Sequence, residues 1–183
     1  MDWLMLQFEP TAYHLVIGAG MVYFMLRPVL AGAPYVPTGP RRARELLSFA
    51  GVRPDDVFCE LGSGDGHVSV EAVRAGASRS VGYDILGTMV ALARTRARLS
   101  GMAARCVFRR GDIRKLDISD ATLAYCYLLP GVTDILAAGT LLTLKPGARV
   151  LCSTFEIPAR FSGFRLLKKD RFGSVRAFLY ERI

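Results

Sequence analysis

The sequence has few cysteines, and they lie far apart. Cys59, Cys106, Cys126 and Cys152 form no C-x-x-C pair, and each lies in or beside an apolar stretch. This spacing indicates neither a zinc site nor a disulfide framework. We therefore expect four small buried thiols in strands of a protein that is kept reduced, and no metal site.

Internal repeats and low-complexity tracts are also missing from the sequence. With 51% hydrophobic and 22% charged residues, the chain lacks the composition of a disordered protein. Its 183 residues suit one domain with a full core, alone or with a short appendage. Charge is scarce in the first forty positions, which hold only Asp2, Glu9 and Arg27. We therefore predict two pieces, a hydrophobic N-terminal segment over residues 1–33 and a folded domain over residues 34–183.

The N-terminal segment carries no charge from Thr11 to Leu26, and apolar residues continue beyond Arg27. A helix of this length spans about 24 Å of a roughly 30 Å hydrocarbon core, so it must extend to about Ala33 or let Arg27 snorkel. We predict an N-terminal hydrophobic helix that anchors the protein in a membrane. Because arginines follow it, the positive-inside rule places the folded domain in the cytoplasm.

Two alternatives to the membrane anchor are a cleaved signal peptide and a helix packed on a soluble cytoplasmic protein. Cleavage is disfavoured because the residues before the apolar run are acidic and Pro34 follows the small-residue motif Ala31-Gly32-Ala33. Recovery of the full-length protein in the soluble fraction without detergent would reject the anchor.

Strand and helix patterns alternate through the body of the chain. The predicted strands are Val57–Leu61, Ser80–Asp84, Arg105–Arg109, Ala121–Leu128, Arg149–Thr154, Phe164–Lys168 and Val175–Glu181. The predicted helices are Arg41–Ala50, Val68–Ala75, Thr88–Leu99 and Thr133–Leu144. This alternation predicts an α/β, Rossmann-like, doubly wound sheet of seven strands, mostly parallel, with an antiparallel C-terminal hairpin. Ligands of such sheets lie beyond the carboxyl ends of the strands.

The first predicted strand runs into the segment Glu60-Leu61-Gly62-Ser63-Gly64-Asp65-Gly66. Its glycines allow a sharp turn and close approach of a ligand to the backbone, while the helix that follows offers free N–H groups. Taken alone, the segment also fits a tight structural connection or a dinucleotide-binding turn, although the latter would have glycine in place of His67.

Acidic residues also end the next two strands. Asp84 closes the second strand, where a carboxylate can accept hydrogen bonds from both ribose hydroxyls of a nucleoside, and Ile85 follows it. Asp112 follows the third strand, where it can accept from an adenine amino group while Ile113 flanks the ring. Three neighbouring strand ends therefore carry the residue types that a nucleoside site needs.

This arrangement resembles the class I, seven-β-strand, S-adenosylmethionine-dependent methyltransferases. The segment Glu60–Gly66 is similar to their first motif, Asp84 to their ribose acid and Asp112 to their adenine acid. The resemblance implies S-adenosylmethionine as the cofactor, with Glu60 at its methionine end. It implies cofactor-binding roles for Glu60, Gly62, Ser63, Gly64, Asp65, Gly66, Asp84, Ile85, Asp112 and Ile113. A similar fold that has lost its ligand is the alternative.

The methyl acceptor is expected beyond the fourth strand, where Tyr125 and Tyr127 share a parity and can face the same way. Their rings and hydroxyls could surround a lysine side chain, because a π face favours a methylated ammonium and a hydroxyl can bond the amine. Both tyrosines are candidate catalytic residues. In the alternative interpretation, one packs in the core while the other caps the sheet.

A narrower resemblance links the chain to the small protein-lysine methyltransferases related to the enzyme that methylates the ATP synthase c subunit. It is carried by the segments Pro34–Thr38, Glu60–Gly66 and Tyr127–Gly131. The chain departs from that family at Glu60, where aspartate is usual, and at His67, where arginine is frequent. The resemblance implies a protein substrate with a target lysine, and it implies acceptor-side roles for Tyr35, Pro37, Thr38, Tyr127 and Pro130.

Other functions stay open at this point. Arginines at positions 94, 96, 98, 109, 110 and 114 could bind RNA phosphates, so an RNA methyltransferase is the second hypothesis, although we expect a solvated arginine-rich surface rather than a nucleic-acid partner. A small-molecule methyltransferase is a further possibility. A non-catalytic, membrane-tethered nucleoside-binding protein is the alternative from another class.

Overall fold

A computed structural model describes residues 13–21 and 36–183 of the chain. The chain divides into two units, Met1–Tyr35 and Val36–Ile183. In the first unit, residues 13–21 are helical (α1), and the other residues of the predicted anchor lie outside the described ranges. Within the described ranges, no helix has both the length and the apolar character needed to cross a bilayer. The prediction of a membrane-spanning N-terminal helix is therefore not supported.

The second unit is built on a sheet of seven strands in the order β3-β2-β1-β4-β5-β7-β6. Its strands are β1 (Val57–Leu61), β2 (Arg79–Asp84), β3 (Cys106–Arg110), β4 (Leu123–Cys126), β5 (Arg149–Ser153), β6 (Phe164–Phe172) and β7 (Val175–Arg182). Strands β1 to β5 pair in parallel, while β7 runs antiparallel to both β5 and β6. The predicted seven-stranded sheet with an antiparallel C-terminal hairpin is confirmed.

The α-helices of this unit are α2 (Pro40–Ala50), α3 (His67–Arg74), α4 (Gly87–Leu99) and α5 (Pro130–Ala138). One core cluster joins α2 and α3 to the middle of the sheet, through side chains such as Leu46, Val68 and Leu151. A second cluster joins α3 and α4 to β3 around Phe108. The strand order reverses at β1. Right-handed connections therefore place α5 on the face of the sheet opposite to α3 and α4.

Some element boundaries differ from those predicted. Strand β4 ends at Cys126 rather than Leu128, so Tyr127 lies just beyond the strand. Helix α5 begins at Pro130, because proline suits the first turn of a helix, and it ends before Gly139, whose backbone is not helical. A 3₁₀ turn over Thr140–Thr143 replaces the expected last turn of that helix.

A buried ion pair ties several elements together at the amino-terminal edge of the sheet. Arg149 donates from Nη2 to both carboxylate oxygens of Asp56, at 2.8 and 2.6 Å, and from Nη1 to the carbonyls of Ala50 and Gly51. The pair joins the end of α2 to the starts of β1 and β5.

Candidate active site

The glycine turn between β1 and α3 has a left-handed backbone at three positions. The φ angles of Gly62, Gly64 and Gly66 are 82°, 50° and 75°. At Gly66 glycine is required for a second reason, since an added Cβ would lie 2.6 Å from Cζ of Phe108. The N–H groups of Gly62 and Ser63 both donate to the Tyr83 carbonyl, which ties the turn to the end of β2.

Asp84 lies directly beside this turn. Its Oδ2 accepts from the Gly64 N–H and its Oδ1 from the Leu86 N–H, both at 2.8 Å. Each carboxylate oxygen keeps a lone pair, and the residue is half-buried, so both oxygens can still accept from hydroxyl groups. The next residue, Ile85, is 38% exposed and offers an apolar surface at the same edge.

The third strand end carries Asp112 and Ile113, both half-buried. Asp112 caps the 3₁₀ turn Ile113–Lys115, and its carboxylate accepts from Nε and Nη2 of Arg114 at 2.8 and 2.7 Å. These hydrogen bonds lower the pKa of Asp112 to about 2, so the carboxylate is ionised at neutral pH. The Gly111 N–H donates to the Asp84 carbonyl, which places the second and third acidic strand ends side by side.

Glu60 lies at the first strand end, but in the interior. It is 4% exposed, and its Oε2 accepts from the N–H and the hydroxyl of Ser69, at 2.9 and 2.6 Å. Burial raises the pKa of Glu60 to about 8, and the charges of Asp65 and Asp84 act in the same direction. In this position the carboxyl group ties β1 to the first turns of α3. Its predicted contact with the cofactor stays a prediction.

Arg96 of α4 holds the glycine turn from outside, a role that sequence reasoning missed. Its Nη2 donates to Oδ2 of Asp65 at 2.5 Å, and its Nε donates to the Asp65 carbonyl at 2.9 Å. Its Nη1 lies 3.3 Å from Nδ1 of His67. Burial and the charge of Arg96 lower the pKa of His67. The sequence offered no signal for this pairing, because Arg96 and Asp65 are 31 residues apart.

The two tyrosines of the acceptor region occupy different environments. Tyr125 is 2% exposed, and its ring stacks on Phe58 with centroids 6.4 Å apart. Its hydroxyl accepts from the Ser153 hydroxyl at 3.2 Å and also shares a hydrogen bond with the Thr38 side chain. Burial raises the pKa of Tyr125. We call Thr38, Tyr125 and Ser153 the hydroxyl cluster.

Tyr127 is half-buried beyond the end of β4 and packs at the margin of the core. The structure therefore does not place both tyrosines at an open pocket: Tyr125 lies in the core, and Tyr127 is the more accessible one. Pro130 starts α5 and is exposed, as is Pro37. Tyr35 lies outside the described residues.

Several arginines that were candidates for RNA binding make contacts within the protein. Arg94 donates to the Phe108 carbonyl, and Arg110 donates to the Ile85 carbonyl. Arg96 and Arg114 bind Asp65 and Asp112, as described above. These side chains therefore do not form an open stripe for phosphates.

The four cysteines are buried free thiols, as predicted. Cys126 and Cys152 are register partners on β4 and β5, with their sulfur atoms 3.4 Å apart. Over the described ranges, no group of three or more potential ligands is placed to hold a metal ion.

The sequence model of the ANTKMT methyltransferase domain matches residues 60–161, which is more than half of the chain and includes all three acidic strand ends. The chain belongs to this methyltransferase family. The methyltransferase resemblance drawn from the sequence is thereby confirmed.

Named relatives agree with this assignment. A protein-lysine N-methyltransferase of Saccharolobus islandicus is 34% identical over 125 residues, which are 68% of this chain and 78% of that protein. The adenine nucleotide translocase lysine N-methyltransferase of Mus musculus is 31% identical over 148 residues, 81% of this chain and 63% of that protein. A solved RNA methyltransferase from Salinibacter ruber, in complex with S-adenosyl-L-homocysteine, is 33% identical with a TM-score of 0.74, covering 80% of this chain and 94% of that chain.

The cofactor of this methyltransferase is S-adenosylmethionine, and the residues present fit it. Asp84 has spare lone pairs for ribose hydroxyls, and the exposed Ile85 beside it suits the face of an adenine ring. At the start of α3, the His67 N–H donates to Oδ1 of Asp65 at 3.2 Å and the Ser69 N–H donates to Oε2 of Glu60 at 2.9 Å, so these two N–H groups are already bonded within the protein.

Proposed function

We propose that this enzyme methylates lysine side chains of a protein. The observation that carries the proposal is that relatives 34% and 31% identical are both named lysine N-methyltransferases. The matched family region also includes Tyr127 and Pro130, which are the acceptor-side residues indicated by the sequence.

We assign the cofactor contacts to the three strand ends. Asp84 would accept hydrogen bonds from the ribose hydroxyls, while Ile85 and Ile113 would flank the adenine ring and Asp112 would accept from its amino group. The backbone of Gly62–Gly66 would carry the methionine end, with Ser63 and Asp65 in the same turn. Glu60 would support this turn by accepting hydrogen bonds from Ser69 near the start of α3.

The bound cofactor supplies a methyl group on a positively charged sulfur. The lysine nitrogen forms its new bond to that carbon as the carbon–sulfur bond breaks, and the electron pair stays on sulfur. The protein has to align the amine and keep it unprotonated. Tyr127, half-buried beyond β4, can accept a hydrogen bond from the amine through its hydroxyl and can offer its ring to a methylated ammonium. A pocket of low polarity favours the neutral amine.

Substitution of the two tyrosines tests these assignments. We expect Tyr127→Phe to slow methyl transfer about tenfold and leave the Kd for S-adenosylhomocysteine unchanged, because one hydrogen bond to the amine is lost. Tyr125→Phe is the matched control. Its hydroxyl is bonded inside the protein, so we expect a lower melting temperature and a smaller loss of rate. Wild-type turnover by Tyr127→Phe would remove Tyr127 from the acceptor site.

The acceptor class is tested by labelled methyl transfer into separated protein and RNA fractions of a cell lysate, followed by mass spectrometry of the modified residue. Methyl-lysine in protein is the expected product. Label in RNA alone would overturn the proposal.

RNA methylation is the second candidate, because the Salinibacter ruber structure, 33% identical, is named an RNA methyltransferase. Against it stand the arginines at positions 94, 96, 110 and 114, whose guanidinium groups bind protein atoms. RNA binding that weakens steeply with salt would support this candidate.

Membrane association through residues 1–33 stays a prediction. What supports it is that Leu15, Val16 and Met21 of α1 are 72%, 73% and 63% exposed. Flotation of the full-length protein with lipid vesicles, compared with Val16→Asp, tests it. A wild-type protein that stays at the bottom of the gradient would refute the association.

A further inference from the structure

Strand β5 ends in a tight turn with an unusual residue at its centre. The Phe155 N–H donates to the Ser153 carbonyl at 2.9 Å, which closes a three-residue γ-turn around Thr154. Thr154 has a φ of 70° and is the one non-glycine residue with positive φ in the described ranges. A γ-turn of this hand is rare and strained, and a β-branched residue fits it poorly. The Thr154 N–H donates to the Arg176 carbonyl at 2.7 Å, so the turn is fixed to β7.

The side chain of Thr154 is unusual as well. Its hydroxyl oxygen is buried and finds no hydrogen-bond partner among the residues that the structure describes. A glycine here would remove both the strain and the unsatisfied hydroxyl. Strained residues of this kind concentrate at active sites and ligand clamps. The two observations together indicate that the threonine side chain serves a ligand rather than the fold.

The position of this turn indicates which ligand. Cys126 and Cys152 are register partners, so the ends of β4 and β5 lie side by side. Ser153, the residue before Thr154, donates to the hydroxyl of Tyr125. Thr154 therefore follows the hydroxyl cluster directly and lies one strand away from Tyr127. In doubly wound sheets this edge is where ligands bind.

We propose that Thr154 is a substrate-binding residue whose hydroxyl accepts a hydrogen bond from the ε-amine of the target lysine. This inference rests on the proposed function. A neutral amine has two N–H groups and one lone pair. If Thr154 accepts from one N–H and Tyr127 from the other, the lone pair is left to face the methyl group. The γ-turn and its hydrogen bond to β7 fix the backbone of Thr154 at the end of β5.

Three variants separate the hydroxyl from the strain. Thr154→Val removes the hydroxyl and keeps the branched shape, Thr154→Ser keeps the hydroxyl, and Thr154→Gly removes both hydroxyl and strain. The probe is a total protein extract at limiting dilution, with the rate read as labelled methyl-lysine after acid hydrolysis. The Kd for S-adenosylhomocysteine and the melting temperature are measured in parallel.

We expect Thr154→Val and Thr154→Gly to form methyl-lysine about tenfold more slowly than wild type, with an unchanged Kd for S-adenosylhomocysteine. Thr154→Ser should stay within about threefold of wild type, because it retains the acceptor oxygen. Thr154→Gly should be at least as stable as Thr154→Val, so the loss of rate follows the hydroxyl and not the stability.

Wild-type rates in Thr154→Val would overturn the inference, as would a Thr154→Ser variant as slow as Thr154→Val. Rates that fall in step with the melting temperatures would assign Thr154 a role in folding alone. If the wild-type enzyme labels RNA and no protein, the proposed function and the role of Thr154 fail together. Failure of Thr154 alone is recognised by equal rates on a protein that does become labelled.

Discussion

Replacing the buried Glu60 by glutamine should change how the stability of the protein depends on pH. Glu60 is 4% exposed, and its Oε2 accepts two hydrogen bonds from Ser69. Glutamine has nearly the same shape, and its carbonyl oxygen can accept the same two bonds. It cannot ionise, so Glu60→Gln removes the titration of this group while preserving its contacts.

The magnitude follows from the difference between folded and unfolded pKa values. Burial raises the pKa of Glu60 from 4.5 to about 8 in the folded protein. Between these values the folded state holds a proton that the unfolded state has released, so stability falls as pH rises, and the fall ends above about pH 8. For one group, the free energy of unfolding falls by about 3 kcal/mol between pH 5 and pH 7.5. His67 acts in the opposite direction, because its folded pKa is lowered.

The assay is urea denaturation of wild type, Glu60→Gln and the exposed control Glu156→Gln at several pH values between 5 and 7.5. Because His67 is present in all three proteins, the difference between wild type and Glu60→Gln isolates Glu60. We expect the free energy of unfolding of Glu60→Gln to rise relative to that of wild type by about 3 kcal/mol as the pH rises from 5 to 7.5. The control should follow wild type. A difference that stays constant across the range would refute the raised pKa and the buried, neutral state derived from it.

Three further substitutions test the cofactor site. Asp84→Ala should weaken binding of S-adenosylhomocysteine by about tenfold to a hundredfold in calorimetry with the fold retained, because charge-assisted hydrogen bonds are lost; unchanged affinity would remove Asp84 from the site. Gly66→Ala should lower the free energy of unfolding, measured by urea denaturation, by about 3 kcal/mol, whereas Gly101→Ala should lower it by about 1 kcal/mol. Both glycines have positive φ, but only at Gly66 does the added methyl group meet a crowded core. Equal costs would contradict the crowding argument. Arg96→Gln should weaken cofactor binding about tenfold by releasing the glycine turn, whereas the exposed Arg98→Gln should not; equal affinities would show that the turn holds its shape without Arg96.

Much of the fold could be predicted because its signals are local. Apolar runs of strand length alternate with helical patterns, and the resulting strands were located to within a few residues. The larger errors lie at β4, which ends at Cys126, and at β6, which extends to Phe172 as an exposed edge strand. Both boundaries depend on which neighbouring strand is available for pairing, and that information is not local.

The amino-acid sequence by itself determined the α/β architecture, the glycine turn and the acidic residues at three strand ends. Carboxyl ends of parallel strands meet at one edge of a sheet, so the order of motifs along the chain was enough to bring Asp84 and Asp112 together. Only the tertiary structure decided the depth and the partner of each side chain. Contacts between distant segments produce the burial of Tyr125, the ion pair between Arg96 and Asp65 and the strained turn at Thr154. Periodicity fixes the direction of a side chain, but packing fixes what it meets.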